Sequence, residues 1–211
     1  MRKIHIIEIV QDFLAGGDAP SDIRGKYHPE IITKWCEIAW NNVINMVYDN
    51  GKVNGEIDVL DPWARNYGIS IVNNRVALPY APMHLSDGMG ILQVCDGKDG
   101  DFDPTNVYAP ITTTAIGIFN DLEAGNQSTV PMYYLEINNS TGINSHVLVL
   151  RNKPTATTGV TVKMVVPLEQ IDDFSQVSVP KEGMNMIITE VVNILRQKNT
   201  EDKINDNNPE T

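Results

Sequence analysis

Basic residues are scarce: 16 Lys and Arg stand against 27 Asp and Glu, for a formal net charge of -11. That shortage opposes a phosphate-binding surface, because neutralising a nucleic-acid backbone needs clustered cations. Sequence-reading of DNA is therefore not expected, although a local basic patch in an assembled form is compatible with the composition. Cysteine is rarer still, at two residues. Cys36 lies in a helical pattern and Cys95 in a β pattern. Their separation leaves no CxxC chemistry and no zinc ligand set, so both read as buried, reduced thiols. No apolar run approaches the roughly 20 residues of a membrane span. The Met1-Arg2-Lys3 start is followed by His5, Glu8, Gln11 and Asp12, which interrupt any signal-peptide core. Synthesis in the cytoplasm is the expectation. No repeat at a solenoid period is present. Gly88-Met89-Gly90-Ile91 leads into a β-like run rather than a helix bearing Lys-Ser or Lys-Thr, which excludes a phosphate loop there.

The 211 residues suffice for one substantial core with a smaller helical annex. Ile6, Ile9, Val10, Phe13 and Leu14 recur at helical spacing and stop at Gly16-Gly17, where a left-handed helix end is expected. His28-Pro29 opens a second helix, proline being suited to the first helical position. Ile32, Trp35, Cys36, Ala39, Val43, Met46 and Val47 give it a core face, and Asn50-Gly51 is expected to end it. Ile31, Ile38, Trp40 and Ile44 widen its apolar surface beyond that stripe, which implies a second covering partner. Short β-branched and aromatic runs then alternate with Pro, Gly, Asn, Asp and Thr. Strands are expected at 68–72, 75–78, 91–95, 111–119, 132–137, 146–150 and 160–166, with Asn73-Asn74 as a two-residue hairpin loop. Met184, Ile187, Ile188, Val191, Ile194 and Leu195 mark a last helix. The tail after Lys198 has too few apolar residues to order itself. The class predicted is α+β: a helical N-terminal pair in 1–52, an antiparallel β-sandwich or barrel-like region in 53–178, a packed C-terminal helix in 179–198 and a disordered acidic tail in 199–211.

Few side chains suggest chemistry. Asp96, Asp99, Asp101 and Asp103 invite a calcium site, but the EF-hand spacing fails and no glutamate closes the loop, so they read as a solvated hairpin loop tip. His84, Ser86 and Asp87 supply the residue types of a nucleophilic triad, yet they crowd into one short segment with no nucleophile elbow. His5, His28, His84 and His146 fall in four different elements and lack the spacing of a helical metal pair. Asn126, Asn138 and Asn139 each begin a glycosylation sequon, matches expected by chance in a region rich in Asn, Ser and Thr. No catalytic group, metal or cofactor is assigned, and an enzyme is not expected. The surplus is apolar helix surface and extended, proline-punctuated segments, as in a subunit that completes its burial against copies of itself. Ile31, Trp35, Ile38, Trp40, Ile44, Tyr80, Ile188 and Val191 are the expected interface residues.

The chain carries a helical pair, then Ala77-Leu78-Pro79-Tyr80-Ala81-Pro82 and Gly88-Met89-Gly90-Ile91-Leu92-Gln93-Val94. Asp172-Asp173-Phe174, Val179-Pro180-Lys181-Glu182-Gly183-Met184 and an Ile/Val-rich terminal helix follow. In layout and in these segments, over residues 4 to 198, it resembles the head-to-tail connector, or neck ring, proteins of crAss-like, short-tailed bacteriophages. The resemblance implies a virion structural protein forming a ring of about twelve copies on the portal vertex. Its partners would be further copies of itself, the portal, another neck ring or tail hub protein, and DNA passing without sequence recognition; no membrane is involved. An acidic channel wall would let that DNA slide. Two other classes fit the composition. A carbohydrate-binding β-sandwich would need an exposed aromatic platform, for which Tyr133 and Tyr134 are the adjacent aromatics, and a small β-rich hydrolase would need His84 or Asp87 for turnover.

Overall fold

Proline at a helix start removes an N–H that has no intrahelical partner and presets φ, and Pro29 does so at the head of α2 (Pro29–Asn54). His28 caps it, its Nδ1 accepting a hydrogen bond from the Glu30 amide at 3.4 Å. The helix does not end at Asn50-Gly51. It runs to Asn54 and closes on Gly55, whose φ of 73° is the left-handed conformation that favours glycine. Gly51 is instead buried beneath the Val59 side chain, a packing gain that offsets its cost of about 1 kcal/mol in a helix.

The chain, a computed structural model, is described at residues 1–16, 18–25, 27–56, 58–97, 103–112, 115–116, 129–138 and 145–206. It is an α+β protein in two compact units: 1–63 with 167–211, and 64–166. The β-rich region is thus shorter than expected, and residues 167–178 belong with the helices.

In the helical unit, which also holds a 3-10 turn at Asp61–Trp63, α2 packs against α1 (Lys3–Ala15), α3 (Gly183–Asp206) and a second 3-10 turn, Leu168–Gln170. α1 buries Ile6, Ile7, Val10 and Leu14, a one-sided stripe. Its C-cap Gly16 is extended (φ -81°) rather than left-handed. α3 continues past Lys198, so residues 199–206 of the expected disordered tail are helical, and 207–211 lie outside the described residues. Residues 173–177 are held by the N-terminus: the Lys3 and Ile4 amides donate to the Ser175 and Asp173 carbonyls, and the Val177 amide donates to Met1. At the centre of the unit the Trp40 and Trp63 rings meet edge to face, 5.2 Å apart. A Cβ on Gly183 would lie 2.7 Å from Trp63, so glycine lets α3 approach that ring.

The second unit holds two open four-stranded sheets and one small hairpin. The first sheet is ordered β1 (Arg65–Ser70), β10 (Gly159–Met164), β5 (Ile91–Asp96) and β6 (Asp103–Val107), all antiparallel. The second is ordered β2 (Arg75–Ala77), β9 (Ser145–Arg151), β8 (Met132–Asn138) and β7 (Ala109–Pro110), with β7 and β8 parallel. β3 (His84–Leu85) and β4 (Gly88–Met89) form the hairpin. Neither large sheet closes into a barrel. Val147 to Leu150 of β9 are buried on both faces, as a central strand requires. Asn73 and Asn74 take φ of 53° and 58° between Val72 and Arg75, whose backbones exchange two hydrogen bonds of 2.9 Å. That is the anticipated two-residue hairpin loop. Of the expected strand at 111–119, Ile111 and Thr112 are not strand, and most of the rest lies outside the described residues.

Candidate functional site

Asp96 is buried in β5, and both carboxylate oxygens are engaged: Tyr108 donates to Oδ1 at 2.8 Å and Thr157 to Oδ2 at 2.9 Å. Burial, and then the hydrogen bond to Asp96, push the Tyr108 phenol well above its usual range. Asp96 is therefore an internal brace rather than a loop-tip ligand. Asp99 and Asp101 lie outside the described residues, and among the described residues no three His, Cys, Asp or Glu side chains gather as a metal centre requires. His84, Ser86 and Asp87 are all exposed on the β3–β4 hairpin. Tyr133 and Tyr134 are buried, and burial raises the Tyr133 phenol to about 12. They offer no platform for a sugar ring. Cys36 and Cys95 are buried free thiols, Cys36 pushed up to about 12 by burial and then by the charge of Glu37.

One polar pairing was invisible in the sequence. His146 on β9 is buried, and its Nδ1 has no hydrogen-bond partner among the described residues. Desolvation, and then the nearby charge of His84, lower its pKa below 6.5. The unfolded chain then takes up a proton near pH 6.5 while the folded chain resists. Stability falls as pH drops through that value and levels off below the folded pKa. Thermal melts between about pH 7.5 and 5.5, above most carboxylate titration, should show this slope, and His146→Gln should flatten it. Equal slopes for the two proteins would rule out His146 as the source.

What the surface does present is apolar. Ile31 and Ile38 are 47% and 40% exposed on α2, joined on the same helix by Met46 (46%) and Val53 (86%). Four expected interface residues are not at the surface: Trp35, Trp40, Ile44 and Val191 are buried within the chain. Trp40 packs on Trp63, and Trp35 lies edge to face with Tyr27 at 4.9 Å, with the Lys198 ammonium 5.8 Å from its ring centroid. α2 is enclosed by α1, α3 and the Leu168–Gln170 turn, so its wide apolar arc is largely covered from inside the chain. Tyr80 and Ile188 are half-buried. Met46, which the helical spacing puts on the core face, and Val53, which lies beyond the Asn50-Gly51 stop signal, complete the exposed stripe.

Among the described residues, each large sheet ends in an edge strand on either side. An edge strand shows unpaired N–H and C=O groups, and proteins blunt such edges with proline, lysine or shortness. β6 contains Pro104, β7 contains Pro110 and β2 has three residues. β1, with six residues, carries neither proline nor lysine, and Asn66, Gly68 and Ser70 are exposed along it. No helix among the described residues is long and apolar enough to cross a membrane. No protein-family model matches the chain, and no curated protein matches it at a significant level.

Proposed function

We propose that this chain is a non-enzymatic virion structural subunit, a ring protein of the neck between portal and tail in a short-tailed bacteriophage. The observation that carries the reading is the pair of open sheets with unlike edges. Each sheet offers a different strand at either side, β1 and β6 in one, β2 and β7 in the other, and β1 carries neither proline nor lysine, its one charge being Arg65 at its start. Copies that meet through unlike surfaces join head to tail, and such contacts generate rings when the rotation closes. Helices from both ends of the chain form a separate unit available for docking onto the layers above and below. A net charge of -11 suits a channel wall past which DNA slides without sticking.

The test is mass measurement with negative-stain imaging of the purified chain, alone and mixed with a portal. Rings seated on the portal are expected. Gly68→Lys, which places a charge on the β1 edge, should abolish them while leaving a folded monomer. A chain that neither oligomerises nor binds portal overturns the reading.

A further inference from the structure

The exposed apolar residues of α2 are spaced seven, eight and seven apart, at Ile31, Ile38, Met46 and Val53. At about 100° per residue they fall within an arc of about 80° and run about 33 Å along the helix. That spacing is the same read from either end. If a second α2 lies antiparallel across the first with a two-fold axis beside Asn42, Ile31 faces Val53, Ile38 faces Met46 and Asn42 faces its own copy. The charges agree with this register. Lys34, whose ammonium also meets Glu37 at 3.0 Å, comes close to Asp49 of the other copy, whereas a parallel pair would set each charge against its like.

Surface shape agrees as well. Two open grooves of about 470 and 460 Å³ flank Met46, one shared with Asn185, Met186 and Thr189 of α3, the other with Asn45 and Asp49 of α2. They lie where the register brings Ile38 of the second copy, so each isoleucine meets a preformed hollow. We propose that this face of α2 is a two-fold contact between two copies of the chain, with Ile38 of each seated beside Met46 of the other. Such a contact is self-complementary by symmetry. Neighbours within a cyclic ring meet through unlike faces, so this contact pairs copies of two stacked rings, or copies not yet in a ring. It therefore stands apart from the neck reading.

Chemical cross-linking tests it without a portal. Cys36 and Cys95 have no exposed surface, so a cysteine placed on α2 is the reactive thiol. Asn42→Cys treated with a short bismaleimide should give a covalent dimer, and a cysteine at exposed Ser70 should not. Adding Ile38→Lys should remove the cross-link and weaken dimerisation of the unmodified chain by about tenfold or more in sedimentation. Should Asn42→Cys disturb its hydrogen bond to Glu190 (2.8 Å), a mixture of Ile31→Cys and Val53→Cys chains gives the same reading, linking only unlike chains. Cross-linking no better than at Ser70, or a dimer indifferent to Ile38→Lys, overturns the proposal. Portal-bound rings without the cross-link would leave the neck reading standing and remove this one, and the converse result would do the opposite.

Discussion

Trp40→Ala should destabilise the helical unit by about 3–5 kcal/mol, the usual cost of removing a large aromatic from a packed core. Trp40 is 1% exposed and meets Trp63, which in turn lies against Gly183 at the start of α3. Its removal opens a cavity where α2, the 61–63 turn and the α3 N-terminus converge. Against a total stability of about 5–15 kcal/mol, such a loss is a large fraction. Urea titrations followed by far-ultraviolet circular dichroism should show a lower midpoint at a similar slope, with Trp40→Phe in between. The packing also predicts non-additivity. Gly183→Ala in the native background drives a methyl into Trp63, at about 1–3 kcal/mol. In the Trp40→Ala background Trp63 has room to retreat, so the same substitution should cost less. Strict additivity would show that the three residues are not one packed unit.

The second large effect lies at the N-terminal end of α1. Lys3 Nζ is 3.4 Å from Glu37 Oε1, with the two side chains 6% and 12% exposed. Lys34 reaches Glu37 Oε2 at 3.0 Å from the solvent side, and Asp173 stands 3.6 Å from Lys3. Removing one member of a buried pair leaves a desolvated charge, at about 3–5 kcal/mol, whereas replacing both with apolar groups is close to neutral. Glu37→Leu strands Lys3 with a half-exposed Asp173 and should cost the most. Lys3→Met should cost less, because Glu37 keeps its closer partner Lys34. The double variant should recover most of the loss. A double variant whose destabilisation equals the sum of the singles would show that the two charges are not coupled.

Local signals were legible where one residue dictates its own backbone. Pro29 fixes its own φ and Asn73 and Asn74 tolerate positive φ, and the helix start and the hairpin fall where they place them. Helix ends decided by tertiary contact were not legible: α2 passes through Gly51 because Val59 covers it. The stretch 167–178 has no periodicity, so nothing in it announced its pairing with Met1 to Ile4. The apolar girth of α2 is legible in the sequence, but which part of it the chain itself covers is not. A helix enclosed by three neighbours needs a wide apolar arc for its own unit, and sequence does not count the neighbours. What survives of the expected interface on this helix, Ile31 and Ile38, is the part that no internal neighbour covers. The nearness of His84 and His146, which lie in different sheets, joins residues distant in the chain, and no local pattern announces it.

Because residues 1–63 and 167–211 form one unit around a separate middle, the order of synthesis leaves that unit unfinished until the end. A ribosome delivers α1 and α2 first and α3 last, with the whole β-rich unit between them. While the middle is being made, the side of α2 that α3 will cover stays open to solvent. Ribosome-bound chains halted before Gly183 should therefore present a sticky helical pair beside an already folded β unit, and recruit holdase chaperones that the released chain no longer engages.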